Sequence, residues 1–556
     1  MADSIKVICD NLGGPIRVAM GTPLSDVAAQ LTPGRYPFLA AFVNNRIKEL
    51  NYKIYTPVTV RFVDITDFAG IRVYQRTSWF ILQKAARTLF PGHTLHIRHS
   101  MGQSGFYCEL EGLDEFTHEQ AAALEGHMRE VVAQNLPIER TKVLTSELRA
   151  IYAEQGFDDK TALLDTRPRL YSDLYTLDGT AGYFYGALAP STGYIDRFCI
   201  EPYYKGFYLA LPLRTNPGVL NKNVQQEKMF GIFQEYQSWV RIMGVPTVGD
   251  VNSKVLAGDA GGMIKLAEAF HERKFAWVAD TIYDANLSRG VRIVLISGPS
   301  SSGKTTSAKR LGIQLGVLGL KPVLISLDDY FVEREKTPRD EKGDYDFEAL
   351  EAVDVELFND HLNRLLKGET VRIPRYNFIT GKREFHEQPL QMEERSVLVI
   401  EGIHGLNPKL TPHVAADMKF KIYVSALTSI AMDNLNRIAT TDSRLIRRIV
   451  RDHRTRGNSA TDTLRRWESV RRGEDKHIFP NQEQADVMFN SSLFYEIAVL
   501  KSFVEPLLHE VPDTMPEYGE ARRLLKYLDQ FTPLDGSEIP PTSILREFIG
   551  GSSFTY

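Results

Sequence analysis

Gly298-Pro299-Ser300-Ser301-Ser302-Gly303-Lys304-Thr305 decides how this chain is read. It fits G-x-x-x-x-G-K-[ST], a loop whose backbone N–H groups cradle phosphate oxygens. Residues 291–296 before it read as a short buried strand, and residues 305–318 after it carry helical apolar spacing. Strand, glycine turn and helix in that order supply what phosphate binding needs. The glycines permit close backbone approach, and the helix N-terminus adds partial positive charge. In this pattern Gly298, Ser300, Ser301, Ser302, Gly303, Lys304, Thr305 and Thr306 line the phosphates of a nucleotide. Lys304 reaches the β- and γ-phosphates, and the Thr305 hydroxyl is a candidate ligand of Mg²⁺. The blander alternative is a serine-rich turn that merely caps a helix, and the flanking strand and helix argue against it.

Around the loop, from about residue 289, strands and helices alternate. Candidate strands are 291–296, 322–326, 396–400 and 420–424, with a helix over 355–366 among the intervening segments. That alternation predicts an α/β fold, a mainly parallel sheet with helices on both faces. Ligands of such sheets bind beyond the C-terminal strand ends, where Gly298, Asp328 and Glu401 fall. A carboxylate there, Asp328 or its neighbour Asp329, can take a proton from an attacking hydroxyl or hold Mg²⁺ through water. Glu401, closing the apolar run 397–400, is a candidate outer ligand of the same ion. Ten arginines lie between 444 and 472, and Arg444, Arg447, Arg448 and Arg451 form one helical stripe. They fit a mobile lid over a transferring phosphoryl group, with a solvated basic helix or an RNA surface as alternatives.

The rest of the chain reads as separate units. Residues 1–65 resemble a β-grasp domain, with strands 5–9, 16–19 and 58–62 and a short helix 24–31 behind a Ser25 cap. Residues 66–222 are mixed α+β, with helices over 79–89 and 119–133 and extended segments 105–110 and 207–213. Residues 223–288 form a helical connector, and 289–510 the phosphate-loop domain. A tail, 511–556, carries Leu524, Leu525, Leu528 and Phe531 for one docking helix; its segment 544–549 has no chemical signature.

Composition sets bounds on these readings. The length of 556 residues allows three or four domains, and a formal charge of −4 gives no global reason to bind nucleic acid. Cys9, Cys108 and Cys199 lie far apart, which suits a reducing cytoplasm. No apolar run is long enough to span a membrane, and the first residues lack the pattern of a signal peptide.

Several motifs in order give residues 289–510 a resemblance to the uridine kinase and phosphoribulokinase family of P-loop kinases. They are the phosphate loop, Ile325-Ser326-Leu327-Asp328-Asp329-Tyr330-Phe331, Tyr345-Asp346-Phe347-Glu348, and Ile373-Pro374-Arg375-Tyr376-Asn377-Phe378. Ile400-Glu401-Gly402-Ile403, Asp442-Ser443-Arg444-Leu445-Ile446-Arg447-Arg448 and Ala485-Asp486-Val487 complete the set. The resemblance implies an ATP- and Mg²⁺-dependent kinase that phosphorylates the 5′-hydroxyl of a nucleoside, a pyrimidine nucleoside of the salvage route foremost. It makes Asp328 the catalytic base, with Lys304 and Arg447 as catalytic cations and Arg448 and Arg451 on the ATP phosphates. Thr305 and Glu401 become the Mg²⁺ ligands. Tyr345, Asp346, Tyr376, Phe378, Ile403, Arg444 and Arg447 become acceptor contacts. Relatives of this part often oligomerise. Two positions depart from the pattern. Gly381 stands where the family has a base-contacting histidine, and Phe331 where it has a tyrosine, so a sugar phosphate or another small alcohol stays open as acceptor.

The N-terminal part resembles the front of threonyl-tRNA synthetase. Residues 1–65 are similar to its TGS domain. Residues 66–222 are similar to its second additional domain, notably at Leu89-Phe90-Pro91, Gly105-Phe106-Tyr107 and Arg197-Phe198-Cys199. The editing residues of that domain fall here on Arg76, Phe80, Phe184 and Leu188, none of which can do the original acid–base or metal work. The resemblance leaves a binding, regulatory or dimerising platform, or an RNA-associated switch in which the loop only hydrolyses nucleotide. His93, His96 and His99 have the spacing of a zinc site but read as ordinary surface histidines.

Overall fold

The computed structural model describes residues 4–31, 34–223, 225–341 and 343–556. Its phosphate-loop region is built on a five-stranded, wholly parallel sheet. The strand order is Lys321–Ser326, Ser396–Glu401, Ile293–Ser297, Lys419–Ser425, Val487–Asn490. Every residue of the central strand Ile293–Ser297 is buried, as a strand covered on both faces must be. Its side chains alternate. Ile293 and Leu295 pack with the helix Val355–Leu366 on one face, whereas Val294 and Ile296 pack with the helices Ala260–Arg289, Lys304–Val317 and Glu496–His509 on the other. The chain is therefore α/β here, as the alternation predicts. The edge strand Val487–Asn490 is only four residues long and was not among the candidate strands. The hairpin Pro374–Asn377 with Lys382–Phe385 lies outside the main sheet.

In the N-terminal region a five-stranded sheet joins Gly14–Ala19, Ser4–Cys9, Val58–Val63, Ala40–Val43 and Arg46–Lys48 in that order. Ser4–Cys9 buries every second residue, the signature of a sheet with one wet face. The adjoining helix is Leu24–Ala28, shorter than expected. Ser25 does not cap it: Ser25 lies inside the helix and bonds Asp26, and Pro23 holds the cap position. Next comes a four-stranded sheet of Cys199–Tyr203, Gly206–Ala210, Gly105–Glu111 and Thr94–Met101, with helices Phe68–Leu89 and His118–Ala133 against it. Phe68–Leu89 starts a full eleven residues before the predicted position 79. The Asp67 carboxylate caps it by accepting from Ala69 N–H, and burial of Ile71, Val73 and Tyr74 offsets their modest helix propensity.

Two of the three zinc-spaced histidines are not surface residues. His96 and His99 lie on the strand Thr94–Met101 and are buried. His96 bonds Glu111, and His99 stacks on Phe233 of the connector at 4.1 Å between ring centroids. Among the described residues no group of histidine, cysteine or acidic side chains could hold a metal ion, and no helix is long and apolar enough to cross a membrane.

The four positions aligned with editing residues converge on a packed interior. Phe80 and Phe184 are fully buried and meet edge to face at 5.3 Å. The Arg76 guanidinium donates twice to Ala187 O, at 3.0 and 2.9 Å.

Candidate active site

Three strand ends and a loop meet at one edge of the parallel sheet. The loop turns through Ser301 at φ 58° and Gly303 at φ 81° before the helix Lys304–Val317 begins. A left-handed conformation is costly for serine, and here it sits inside the phosphate-binding sequence. Ser301 and Ser302 hydroxyls are buried without a hydrogen-bond partner. The Lys304 ammonium donates to Pro299 O at 3.2 Å, folding over its own loop. Burial lowers the Lys304 pKa, opposed by the Glu401 and Asp328 carboxylates.

Glu401 ends the strand Ser396–Glu401 and ties the loop to its neighbour. Thr305 Oγ1 and Ser326 Oγ both donate to Glu401 Oε1, each at 3.0 Å. Burial pushes the Glu401 carboxyl up to about 7; Asp328 adds to the shift and Lys304 opposes it. Asp328 follows the strand Lys321–Ser326 in the short turn Leu327–Tyr330. It lies in electrostatic reach of Lys304, Glu401, Arg451 and Arg456. Asp329 points away, accepting from Tyr376 N–H at 3.3 Å.

Beside Asp328 the aromatic side chains gather. Phe331, Phe347, Tyr376 and Phe378 form edge-to-face pairs at 5.2 to 6.4 Å, and Tyr345 joins through Phe347 at 6.0 Å. Arg456 covers the Phe378 ring at 4.5 Å. Asp346 lies in the same segment and accepts from Glu348 N–H. Gly381 closes the hairpin turn at φ 71°, and a Cβ there would lie 2.8 Å from Arg334 Nε. The Arg334 guanidinium in turn donates to Phe378 O at 2.6 Å. Ile403 does not join this cluster. Its side chain packs on the connector group of Met229, Phe233 and Tyr236, and its carbonyl accepts from Ser297 Oγ.

The arginine stripe lies on the helix Thr440–Arg456 and is divided by burial. Arg444 and Arg447 are fully buried and grip the outside of the loop: Arg444 Nε donates to Ser300 O at 2.9 Å, and Arg447 Nη1 to Ser301 O at 3.4 Å. Glu474 pairs with Arg444 and also accepts from Ser300 N–H at 3.1 Å; Glu496 pairs with Arg447. Arg448 donates to Ser300 Oγ at 3.0 Å, and Arg451 bonds Asp452. Neither glutamate figured among the sequence candidates. Both lie in helices tens of residues away, without a motif of their own.

The model of the Phosphoribulokinase / Uridine kinase family matches residues 293–497. A uridine kinase of Staphylococcus aureus (strain JH9) is 26% identical over 212 residues, 38% of this chain and 93% of that protein. Threonine–tRNA ligase 1 of Bacillus subtilis (strain 168) is 28% identical over 203 residues, 36% of this chain; the match takes in only 31% of the ligase. Among solved structures, one described as a possible uridine kinase from Bacillus stearothermophilus has a TM-score of 0.27 at 20% identity, covering 39% of this chain and 98% of that one. A phosphoribulokinase from Rhodobacter spheroides has a TM-score of 0.25 at 21% identity, covering 36% and 71%. Residues 293–497 are thus similar to the Phosphoribulokinase / Uridine kinase family, and these matches indicate a phosphotransferase acting on an alcohol acceptor.

Proposed function

We propose that residues 293–497 act as an ATP- and Mg²⁺-dependent kinase that phosphorylates the 5′-hydroxyl of a nucleoside. The observation that carries this reading is the junction at Glu401. Its one oxygen accepts from Thr305 on the phosphate loop and from Ser326, two residues before Asp328, so donor cradle and base candidate are tied together.

The residues fit the groups the reaction needs. Ser301 and Ser302 hydroxyls are buried donors without acceptors, which phosphate oxygens would satisfy. Thr305 and Glu401 offer the hard oxygen donors that Mg²⁺ prefers. Bound there, the ion would neutralise charge on the phosphates. Asp328 takes the proton of the acceptor hydroxyl as its oxygen attacks the γ-phosphorus, and ADP leaves in line. Lys304 and Arg451 hold positive charge where the transferring group gathers negative charge. Arg448, on the Ser300 hydroxyl, faces the same donor phosphates. Tyr345, Tyr376 and Phe378 wall the acceptor, and Asp346 takes its ribose hydroxyls. Arg444 and Arg447 act one step back, bracing the loop through its carbonyls.

One observation favours a second acceptor class. Arg334 fills the space over Gly381, so a cation stands where the family has a base-contacting histidine. That suits an acceptor bearing an anionic group, such as a sugar phosphate. ADP formation measured without acceptor, with each nucleoside and with sugar phosphates separates the readings. Nucleoside-dependent turnover lost in Asp328→Asn supports the first, and turnover with a sugar phosphate alone supports the second. Acceptor-independent turnover stimulated by tRNA would sink both.

A further inference from the structure

The end of the chain returns to the phosphate loop. The short helix Arg546–Ile549 packs against the arginine helix, where Arg454 donates to Phe548 O at 3.0 Å and to Glu547 O at 2.7 Å. Ile544 and Phe548 are fully buried, and a Cβ on Gly303 would lie 2.6 Å from Ile544 Cγ2. From this anchorage two polar groups reach Thr306. Thr306 Oγ1 donates to Glu547 Oε2 at 2.6 Å, and the Tyr556 hydroxyl lies 2.9 Å from Thr306 Oγ1. Glu547 is also in electrostatic reach of Lys304 and Arg451, the cations that face Asp328.

Thr306 is the third residue of the helix Lys304–Val317, among the donors that a helix start offers to an anion. A threonine hydroxyl has one proton to give. Given to Glu547, it is not available to a phosphate. The carboxylate also brings negative charge to the place where phosphates would bring more.

We propose that residues 544–556 form a built-in plug of the donor site, with the Glu547 carboxylate standing in for a phosphate on Thr306. A nucleoside triphosphate binds fully only when it displaces this carboxylate. Little needs to move: Ile544 and Phe548 anchor the segment, but its helix is a single turn and Tyr556 is half exposed. Its weight on donor affinity follows from population. Apparent Kd rises by the reciprocal of the plug-free fraction.

This inference rests on the reading that the loop binds a nucleoside triphosphate. The test is equilibrium binding of Mg·ATP, without acceptor, to the full chain, to Glu547→Gln and to Glu547→Ala. Both altered forms should bind about threefold to tenfold more tightly. In the full chain, amide exchange over 544–556 should speed up at saturating Mg·ATP. Unchanged or weaker binding by both altered forms overturns the plug, as does slower exchange, which would mean that the tail closes over the nucleotide. Where Glu547→Gln fails to fold, Glu547→Ala carries the test. If the full chain binds ATP and neither change tightens it, the plug alone falls. If no form binds ATP, the reading of the loop falls with it.

Discussion

Asp442, in the first turn of the arginine helix, accepts from both terminal nitrogens of Arg523 at 2.8 Å. Arg523 also holds Glu520, and Glu520 pairs with Arg72 in the helix Phe68–Leu89 at 2.8 Å. Burial works against the Glu520 charge, yet Arg523 and Arg72 keep its carboxyl well below the usual range. A chain of charges thus runs from the synthetase-like region through the tail to the helix that grips the phosphate loop. Arg523→Ala leaves Asp442 buried and unpaired, which costs about 3–5 kcal/mol of stability by the usual figure for such pairs. Denaturant unfolding measures the loss, and turnover at low temperature, with the chain still folded, should fall as the helix shifts. A drop below 1 kcal/mol would mean that water replaces the partner.

If the phosphate site is as proposed, Lys304→Ala should abolish turnover, by roughly a hundredfold or more, because it removes the cation assigned to the donor phosphates. The thermal midpoint should stay within a few degrees, since among the described residues the ammonium's hydrogen bond goes to Pro299 O of its own loop. Retained ADP formation would refute the phosphate site.

Asp328→Asn should lower kcat by about a hundredfold to ten-thousandfold, the range for a lost general base. The acceptor KM should change much less, because the aromatic wall and Asp346 are untouched. A large rise in KM with kcat intact would make Asp328 a binding residue.

Glu496→Gln probes the brace. It leaves the Arg447 cation buried without its anion and should cost about 3–5 kcal/mol in unfolding experiments. Lost turnover with stability intact would instead make Arg447 a direct ligand of the reacting groups.

Acid should loosen the N-terminal region from the connector. Burial, aided by Arg437, pushes His99 down to about 3, against about 6.5 for a free imidazole. Between those values the unfolded chain binds the proton and the native one does not. Stability therefore falls as pH drops from about 6.5 towards 3, by about 1.4 kcal/mol for each unit crossed. His99→Phe keeps a ring on Phe233 and removes the titration. Its thermal midpoint should fall less than that of the native chain between pH 7 and 4.5, and an equal fall would exclude His99 as the source.

What could be read from the sequence was what local pattern encodes. The loop 298–305, the buried strand before it and the helix Val355–Leu366 each announce themselves within a few residues. The convergence of Thr305, Ser326 and Glu401 was inferable too, because strand ends of a parallel sheet share one edge. The partners of the arginines were not. Glu474 and Glu496 are solitary acids in their own helices, and only tertiary packing brings them to Arg444 and Arg447. Glu547 was hidden for the same reason: it meets Thr306 across 241 residues, from a segment whose pattern promises only packing.

The filled interior around Phe80 and Phe184 has a consequence for any attempt to revive acid–base chemistry in that region. A histidine placed at position 80 would find phenyl edges, no solvent and no proton partner, and burial would keep it neutral. Packing volume closes that option. Reopening it would require carving out a wet cavity first, at the expense of the contacts that now hold the helix Phe68–Leu89 to its sheet.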